Sequence, residues 1–378
     1  DIPLLMQAED LDFAPVITWW NQRNLWAREA PPANPLRTIE GGGLYNVLAG
    51  EDEREGGALL FFGLKQPLPI ADATREYPSP MKFIEMARAQ NPNAWVDIEK
   101  PFWWDVPVWL ALGMIDSIGI ANNHMCRDSM YENEAWGKPR DASRLPAPQG
   151  NGYWSQEIYY HVLNTGLRVP PSAGSASGVL PNPVGYNRVY VFTGTRSIAD
   201  SHPLWWEGLR AGRSFVTNGP LLRVQADGHP PGHIFRAAKG ETISIALRAK
   251  LTTQDEIEAI EIVQNGEIVR KIPYERGADD LNLGTLEMKT NGWFLVRAIA
   301  NHPRTFRFAS TAPYYVEIGE AKERISRRSS QFFLDWVNER AERVKLKLKD
   351  PEQLGEVLTY HNKAREFWQQ RVNAANVE

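Results

Sequence analysis

The sequence predicts an α/β fold followed by a β-sandwich domain and C-terminal helices. Three observations carry this. In the first half, short apolar runs alternate with helical segments, and the runs end in polar or acidic clusters. From Leu221 the texture changes to short β runs separated by turn signals such as Asn265-Gly266 and Asn291-Gly292. From Arg324 the chain is rich in Arg, Lys and Glu at helical spacing. The expected division is 1–219 as the α/β domain with its N-terminal part missing, 220–322 as the β-sandwich, and 323–378 as a helical extension.

The elements follow in order. Leu4 to Leu11 has a short helical pattern, and Ala14 to Thr18 is a strand delivering Trp19-Trp20-Asn21. Gln22 to Gly43, rich in Pro, Asn, Arg and Gly, predicts a long surface loop. Leu44 to Ala49 is a second strand ending in Gly50-Glu51-Asp52-Glu53-Arg54-Glu55, and Gly56-Gly57 turns the chain into a third, Ala58 to Leu64. Acidic groups in such a run repel one another unless they are solvated or bound to a cation, and both readings stay open. Ser79 to Gln90, with Pro80 near its start, is a helix.

Ala94 to Ile98 and Ile115 to Ala121 are two apolar runs followed by Glu99-Lys100 and by Asn122-Asn123-His124. With Val106 to Gly113 as a crossover helix they read as a βαβ unit whose strand ends share one rim. Arg127 to Asn151 is a second long loop, and Trp154 to Asn164 a helix in which His161 is a satisfied helix residue. Leu167 to Pro170 is a strand delivering Ser172 to Gly178. That small-residue loop lets backbone approach a ligand or another loop, but it has neither the Lys of a P-loop nor a Gly-x-Ser-x-Gly elbow.

Arg188 to Thr193, a helix from Leu204 to Ala211, and Ser214 to Thr217 complete the first domain. The β domain then takes Leu221 to Ala226, Thr242 to Leu247, Ile257 to Gln264, Glu267 to Ile272, Gly292 to Ala300 and Tyr314 to Ile318. Two C-terminal helices break near Asp350-Pro351, with Phe332, Phe333, Trp336, Tyr360 and Trp368 turned inward.

Composition bounds the function. The 378 residues are 43% hydrophobic and 23% charged, as in folded globular proteins. A net charge of -4 leaves no electrostatic footprint for nucleic acid. A lone cysteine, Cys126, excludes an internal disulfide and any cysteine-based zinc site. No segment reads as membrane-inserted, and the chain is expected to be soluble, with any targeting segment upstream of Asp1. Fourteen tryptophans, several in pairs (Trp19-Trp20, Trp103-Trp104, Trp205-Trp206), either fill a large core or offer flat faces to a sugar or aromatic ligand.

The order TWWN, GED, GGALLFFGL, VDIEKPF, IDSIGIANN, PPSAGSASG and then LRAGRSFVTNGPLLRV resembles the CehA/McbA-like branch of the PHP superfamily of metallohydrolases, over approximately residues 4–320. The resemblance implies a distorted β/α barrel that holds divalent metals at its strand ends, where a metal-bound hydroxide attacks an ester, commonly a phosphoester. It also implies a His-x-His motif upstream of Asp1. Glu51 stands where the family carries a metal-binding Glu. At the family's Asp-His-Asn this chain has Trp19-Trp20-Asn21, at its His-Pro it has Lys100-Pro101 beside Glu99, and at its Ser-Asp-Ala-His it has Ser175-Ala176-Ser177-Gly178. Indole and ammonium are not ligands for such a cation.

Three readings follow. One is a hydrolase with a degenerate or rebuilt metal site for Zn, Mn or Fe, in which Glu51, Glu99 and His124 are catalytic and Glu51 and His124 hold metal. Another is a metal-free carbohydrate-active enzyme using Glu51 and Glu99 for acid–base work. The last is a non-catalytic protein binding a glycan or small molecule in a Trp-lined cleft. In each, Trp19, Trp20, Asn21, Lys100, Trp103, Asn122, Asn123 and Ser175 are the candidate substrate contacts.

Overall fold

The computed structural model describes residues 1–194, 198–277, 280–320 and 323–378. Along the chain lie α1 (Ile2–Ala8), β1 (Phe13–Trp20), β2 (Arg23–Asn24), β3 (Leu36–Thr38), β4 (Leu44–Arg54), β5 (Gly57–Phe62), α2 (Pro80–Gln90), β6 (Trp95–Ile98) and α3 (Val106–Ala111). There follow β7 (Ser117–Ala121), α4 (Gly150–Asn164), β8 (Pro171–Ala173), β9 (Arg188–Val191), α5 (Ile198–Arg210), β10 (Ser214–Thr217), β11 (Leu221–Ala226) and β12 (Ile234–Ala237). The chain ends with β13 (Ile243–Thr252), β14 (Ile257–Gln264), β15 (Glu267–Pro273), β16 (Leu281–Met288), β17 (Gly292–Ala300), β18 (Phe308–Thr311), β19 (Tyr314–Ile318), α6 (Arg327–Lys347) and α7 (Pro351–Asn373). The fold is mixed α/β. No helix among the described residues is long and apolar enough to cross a membrane.

Two compact units emerge, the first made of 1–117, 134–139 and 327–374, the second of 118–133, 140–326 and 375–378. They do not follow the linear division the sequence suggests. The C-terminal helices are not a separate extension, because they bury their aromatic face within the first unit. Phe333 stacks on Trp368 at 4.7 Å, and the Trp368 indole N–H donates to Pro107 O at 2.8 Å. Arg340 of α6, itself buried, binds Asp105 at 2.6 Å and both carboxylate oxygens of Glu76. The α6/α7 break follows its signal: Pro351 cannot continue α6, and Asp350 caps α7 by accepting from Gln353 N at 2.9 Å.

In the first unit the strands run β2-β1-β4-β5-β6, with β3 on the early part of β4. Only β1 and β4 are parallel; β1–β2, β3–β4, β4–β5 and β5–β6 are antiparallel. The antiparallel pairing of β4 with β5 has a connectivity reason. Two residues, Glu55-Gly56, join β4 to β5, and so short a link permits only an antiparallel pair. The predicted loop from Gln22 to Gly43 also contains β2 and β3. Helix α2 starts as predicted, with the Ser79 hydroxyl accepting from Met81 N and Pro80 at the first position; Met81, Phe83, Ile84 and Ala87 form its buried face.

The second unit holds two facing sheets. One is eight-stranded, in the order β12-β19-β17-β18-β10-β9 with β14 and β15 beside β17; the other is β11-β13-β16. They share one core, to which Leu222, Val224, Ile245, Leu247 and Leu286 contribute from the small sheet and Ile260, Ile262, Phe294, Val296 and Tyr314 from the large one. Strands β9 and β10 belong to this sheet, β10 pairing with β18 through Phe215↔Thr311, so the expected boundary at 219/220 falls inside the unit. The boundary expected at 322/323 touches residues 321 and 322, which lie outside the described set. The predicted strand Leu167 to Pro170 is displaced to β8, which runs parallel to β7 with Ile118 opposite Pro171. Helix α4 begins at Gly150, four residues before Trp154, and its Gly152 packs where a Cβ would meet the Phe306 ring at 2.3 Å.

Replacing Arg340 by Ala leaves Asp105 and Glu76 buried without their cation. The expected loss is about 3–5 kcal/mol of stability, read from urea unfolding.

Candidate functional site

The site begins with an alternation in β4. Successive strand residues point to opposite faces, so Glu51 and Glu53 share one face while Asp52 and Arg54 share the other. Asp52, 1% exposed, forms a two-pronged pair with Arg54, at 2.6 Å to Nε and 2.7 Å to Nη2. Arg54 also donates to Pro78 O at 2.6 Å and Thr74 O at 3.2 Å. Asn21 closes this end of the strand, donating to Asp52 Oδ1 at 2.7 Å and accepting from Glu53 N at 2.6 Å. The acidic run read as a strand-end cluster is therefore part of the strand. Glu55, in the turn, binds Arg75 and Lys347. Only Glu51 and Glu53 of the four acids turn to one place.

Glu99 joins them. The chain leaves β6 with Glu99 N donating to Ala58 O, and Ala58 is the residue opposite Glu53. One carboxylate oxygen from each of Glu51, Glu53 and Glu99 lies within 4.8 Å of the others. Glu99 accepts from Lys100 Nζ at 2.5 Å and from the Trp103 indole at 3.1 Å. The Lys100 ammonium, its side chain 3% exposed, lies 4.6 Å from the centre of the Trp103 ring. That ring packs directly on the hairpin: a Cβ at Gly57, whose φ is +121°, would lie 2.2 Å from Trp103 Cβ.

The electrostatics follow from the crowding. Burial, then the charges of Glu99 and Glu53, push the Glu51 carboxyl well above the usual range, against the opposing pull of Lys100. Glu53 is raised by burial and Glu99 in the same way, with Lys100 and Arg75 opposing. Two oxygens bound to one cation at about 2.0–2.6 Å each span at most about 4–5 Å, so the three carboxylates fit a single hard divalent ion.

The other predicted residues divide between the units. Trp20 stands opposite Glu51 in the parallel β1–β4 register and is half-buried. Trp19 is buried on the opposite face, where it fills the space a side chain at Gly50 would take. Trp103 is 1% exposed and stacks on Trp136 at 4.9 Å, which leaves it a wall of the site and not an open platform. Asn122, Asn123, His124 and Ser175 are buried in the second unit. There His124 Nδ1 lies 2.9 Å from Asn133 O and its ring 4.7 Å from that of Tyr131, and it is not one of the three grouped acids. Asn122 bonds Ser155 and Gly119 O, and the Ser175 hydroxyl is spent on the Asn187 backbone. Sequence reasoning passed over Asp97, two residues before Glu99 and thus on its face, which accepts from the Ser117 hydroxyl. Period-two spacing from Glu99 was the available signal.

No protein-family model matches the chain, and neither does any curated protein.

Two measurements check this geometry. Glu51 is held above its ordinary value near 4.5, so the unfolded chain releases that proton first and Glu51 costs stability as pH rises past 4.5. Glu51→Gln should raise the Tm by a few degrees at pH 7, with the gain vanishing below about pH 4.5. Asn21→Ala, which strips a donor from buried Asp52, should lower stability by about 1–3 kcal/mol in denaturant titration.

Proposed function

We propose that the first unit carries a rebuilt, cation-dependent hydrolase site of the PHP type, acting on an ester or phosphoester, with Glu51, Glu53 and Glu99 as the cation's ligands. The observation that carries this reading is the convergence of three carboxylates from β4 and the end of β6. The resemblance supports it at Glu51, and on this reading the mixed sheet of the first unit derives from the family's barrel. Glu53 and Glu99, neither of which stands at a family histidine position, then supply the ligands that Trp20 and Lys100 cannot, and an all-oxygen donor set favours Mn²⁺ over Fe²⁺ or Zn²⁺.

A divalent cation held there would supply Lewis acidity toward water and toward the oxyanion that develops on the ester. The chain's own groups do the rest. Glu51, whose carboxyl burial and the neighbouring Glu99 and Glu53 hold above its usual value, would give up its proton as the cation binds, so binding should weaken as the pH falls. The Lys100 ammonium, fixed between Glu99 and the Trp103 face, presents positive charge to an anionic substrate group. Trp20, beside Glu51, offers its indole to the part of a small molecule or glycan that does not react.

A metal-free acid–base enzyme is the second reading. It is favoured by the contrast between Glu51, pushed up by burial and by Glu99 and Glu53, and Glu99, which accepts from Lys100 and Trp103.

Metal analysis of the purified chain, paired with hydrolysis of p-nitrophenyl phosphate and p-nitrophenyl acetate, tests the first reading. The expected result is about one Mn per chain, activity lost on chelation and restored by Mn²⁺, and a drop of at least about a hundredfold in kcat for Glu53→Gln. Chain free of metal, with turnover of nitrophenyl glycosides that chelator does not touch, would replace it with the second.

A further inference from the structure

His361, on α7, is 1% exposed. Its Nδ1 lies 3.0 Å from Val357 O, one turn earlier in the helix. A carbonyl oxygen only accepts, so Nδ1 carries the proton and Nε2 presents a lone pair. Among the described residues no donor reaches that lone pair. It lies 3.8 Å from Asp105 Oδ1, an oxygen that already receives Arg340 Nε at 2.6 Å. The charged groups that bear on the ring are Asp105, at the start of α3, Arg340 from α6, and Arg365 from α7 itself; Glu76 lies beyond, held by the outer nitrogens of Arg340.

Asp105 is also where the helices meet the hairpin that bears Glu51 and Glu53. Its backbone N–H donates to Gly56 O at 2.8 Å. At Gly56 a Cβ would fall 2.1 Å from Asp105 Oδ2. A second contact, Lys347 of α6 with Glu55, holds the same turn. The docking of α6 and α7 against Asp105 thus encloses an imidazole whose unprotonated nitrogen faces a carboxylate with no proton between them.

We propose that His361 is a proton-operated latch: with its ring neutral, α6 and α7 stay docked on Asp105 and, through it and Lys347, hold the tip of the β4–β5 hairpin, and proton uptake by the ring releases them. In the docked arrangement a proton on Nε2 is served only if Asp105 Oδ1 closes from 3.8 Å to hydrogen-bond distance, and that movement draws it away from Arg340. In the opened arrangement water solvates the imidazolium. Burial first, and then Arg340 and Arg365 against Asp105, hold the docked ring below the usual histidine value. The opened state therefore binds the extra proton, and docking is complete above about pH 6.5 and weakens as pH falls through it, by up to about tenfold per pH unit. The latch operates whether or not the three glutamates bind a cation.

Hydrogen exchange on the full chain at pH 7.5 and pH 5.5, corrected for intrinsic exchange rates, tests this. Protection across 351–373 and 54–57 should fall about tenfold at the lower pH while β14 and β17 keep theirs. In His361→Gln, whose amide does not titrate and can donate to Asp105, that difference should disappear. Equal protection of α7 at both pH values, or the same loss in His361→Gln as in the wild type, overturns the proposal. Should that variant fail to fold, NMR titration of the wild-type imidazole decides: a native ring that titrates at or above 6.5 overturns the latch, and one that titrates below it supports it.

Discussion

The buried pair between Asp52 and Arg54 fixes the register on which the candidate site depends. Both partners are on one face of β4, both are nearly fully buried, and the guanidinium also takes the carbonyls of Thr74 and Pro78. A strand slip of one residue would carry Glu51 and Glu53 into that interior and expose the pair to solvent. Neither exchange is tolerable: two carboxylates would be buried without a cation, and the carbonyls that Arg54 serves would lose their donor. The pair's worth lies less in net stability than in allowing one alignment of the strand, and that alignment brings Glu51 and Glu53 to one place.

The acidic face is the cost of this arrangement. Glu51 and Glu53 are held above their ordinary values by burial and by each other's neighbours, and Lys100 offsets only part of that. A protein gains no stability from three carboxylates gathered within 4.8 Å. The packing around them is nonetheless close: Trp103 lies against Gly57 with no room for a Cβ, and Trp136 stacks on Trp103 while its indole donates to Arg54 O. The aromatic side of the cluster is thus tightly walled, while Glu53 itself remains exposed to solvent.

The sequence reveals elements where one physical signal dominates. Proline and its cap define α2 and the α6/α7 break, and the Asn-Gly turns frame β14, β15 and β17. It is silent or misleading where two signals compete. The acidic run reads as a loop because its residues disfavour strands, yet hairpin pairing with β5 and the opposing Arg54 override that preference. Strands β12 and β18 have no flanking Asn-Gly signal and are specified by partners remote in sequence, such as β10 for β18. Glu51, Glu99 and Lys100 were legible as candidates; Glu53 acquires its role only through sheet pairing, which turns it to the same face as Glu51. His124, expected to join Glu51, instead sits in the second unit with its ring nitrogen turned to Asn133 O.

The candidate site and the C-terminal helices meet in one two-residue turn. Glu55 and Gly56 link the strand that bears Glu51 and Glu53 to the strand that supports Glu99, so whatever fixes this turn fixes the spacing of the carboxylates. What fixes it comes largely from late in the chain: Lys347 on Glu55, and Arg340 on the Asp105 that packs over Gly56. Antiparallel hairpins of this length are marginal alone and rely on packing for their geometry. Residues some 290 positions away from Glu55 in sequence, in helices that contribute none of the three carboxylates, thereby set the geometry of the acidic cluster. That dependence explains why the helices belong to the same compact unit as the cluster, and why charged residues are buried at their inner face where leucines would pack more cheaply.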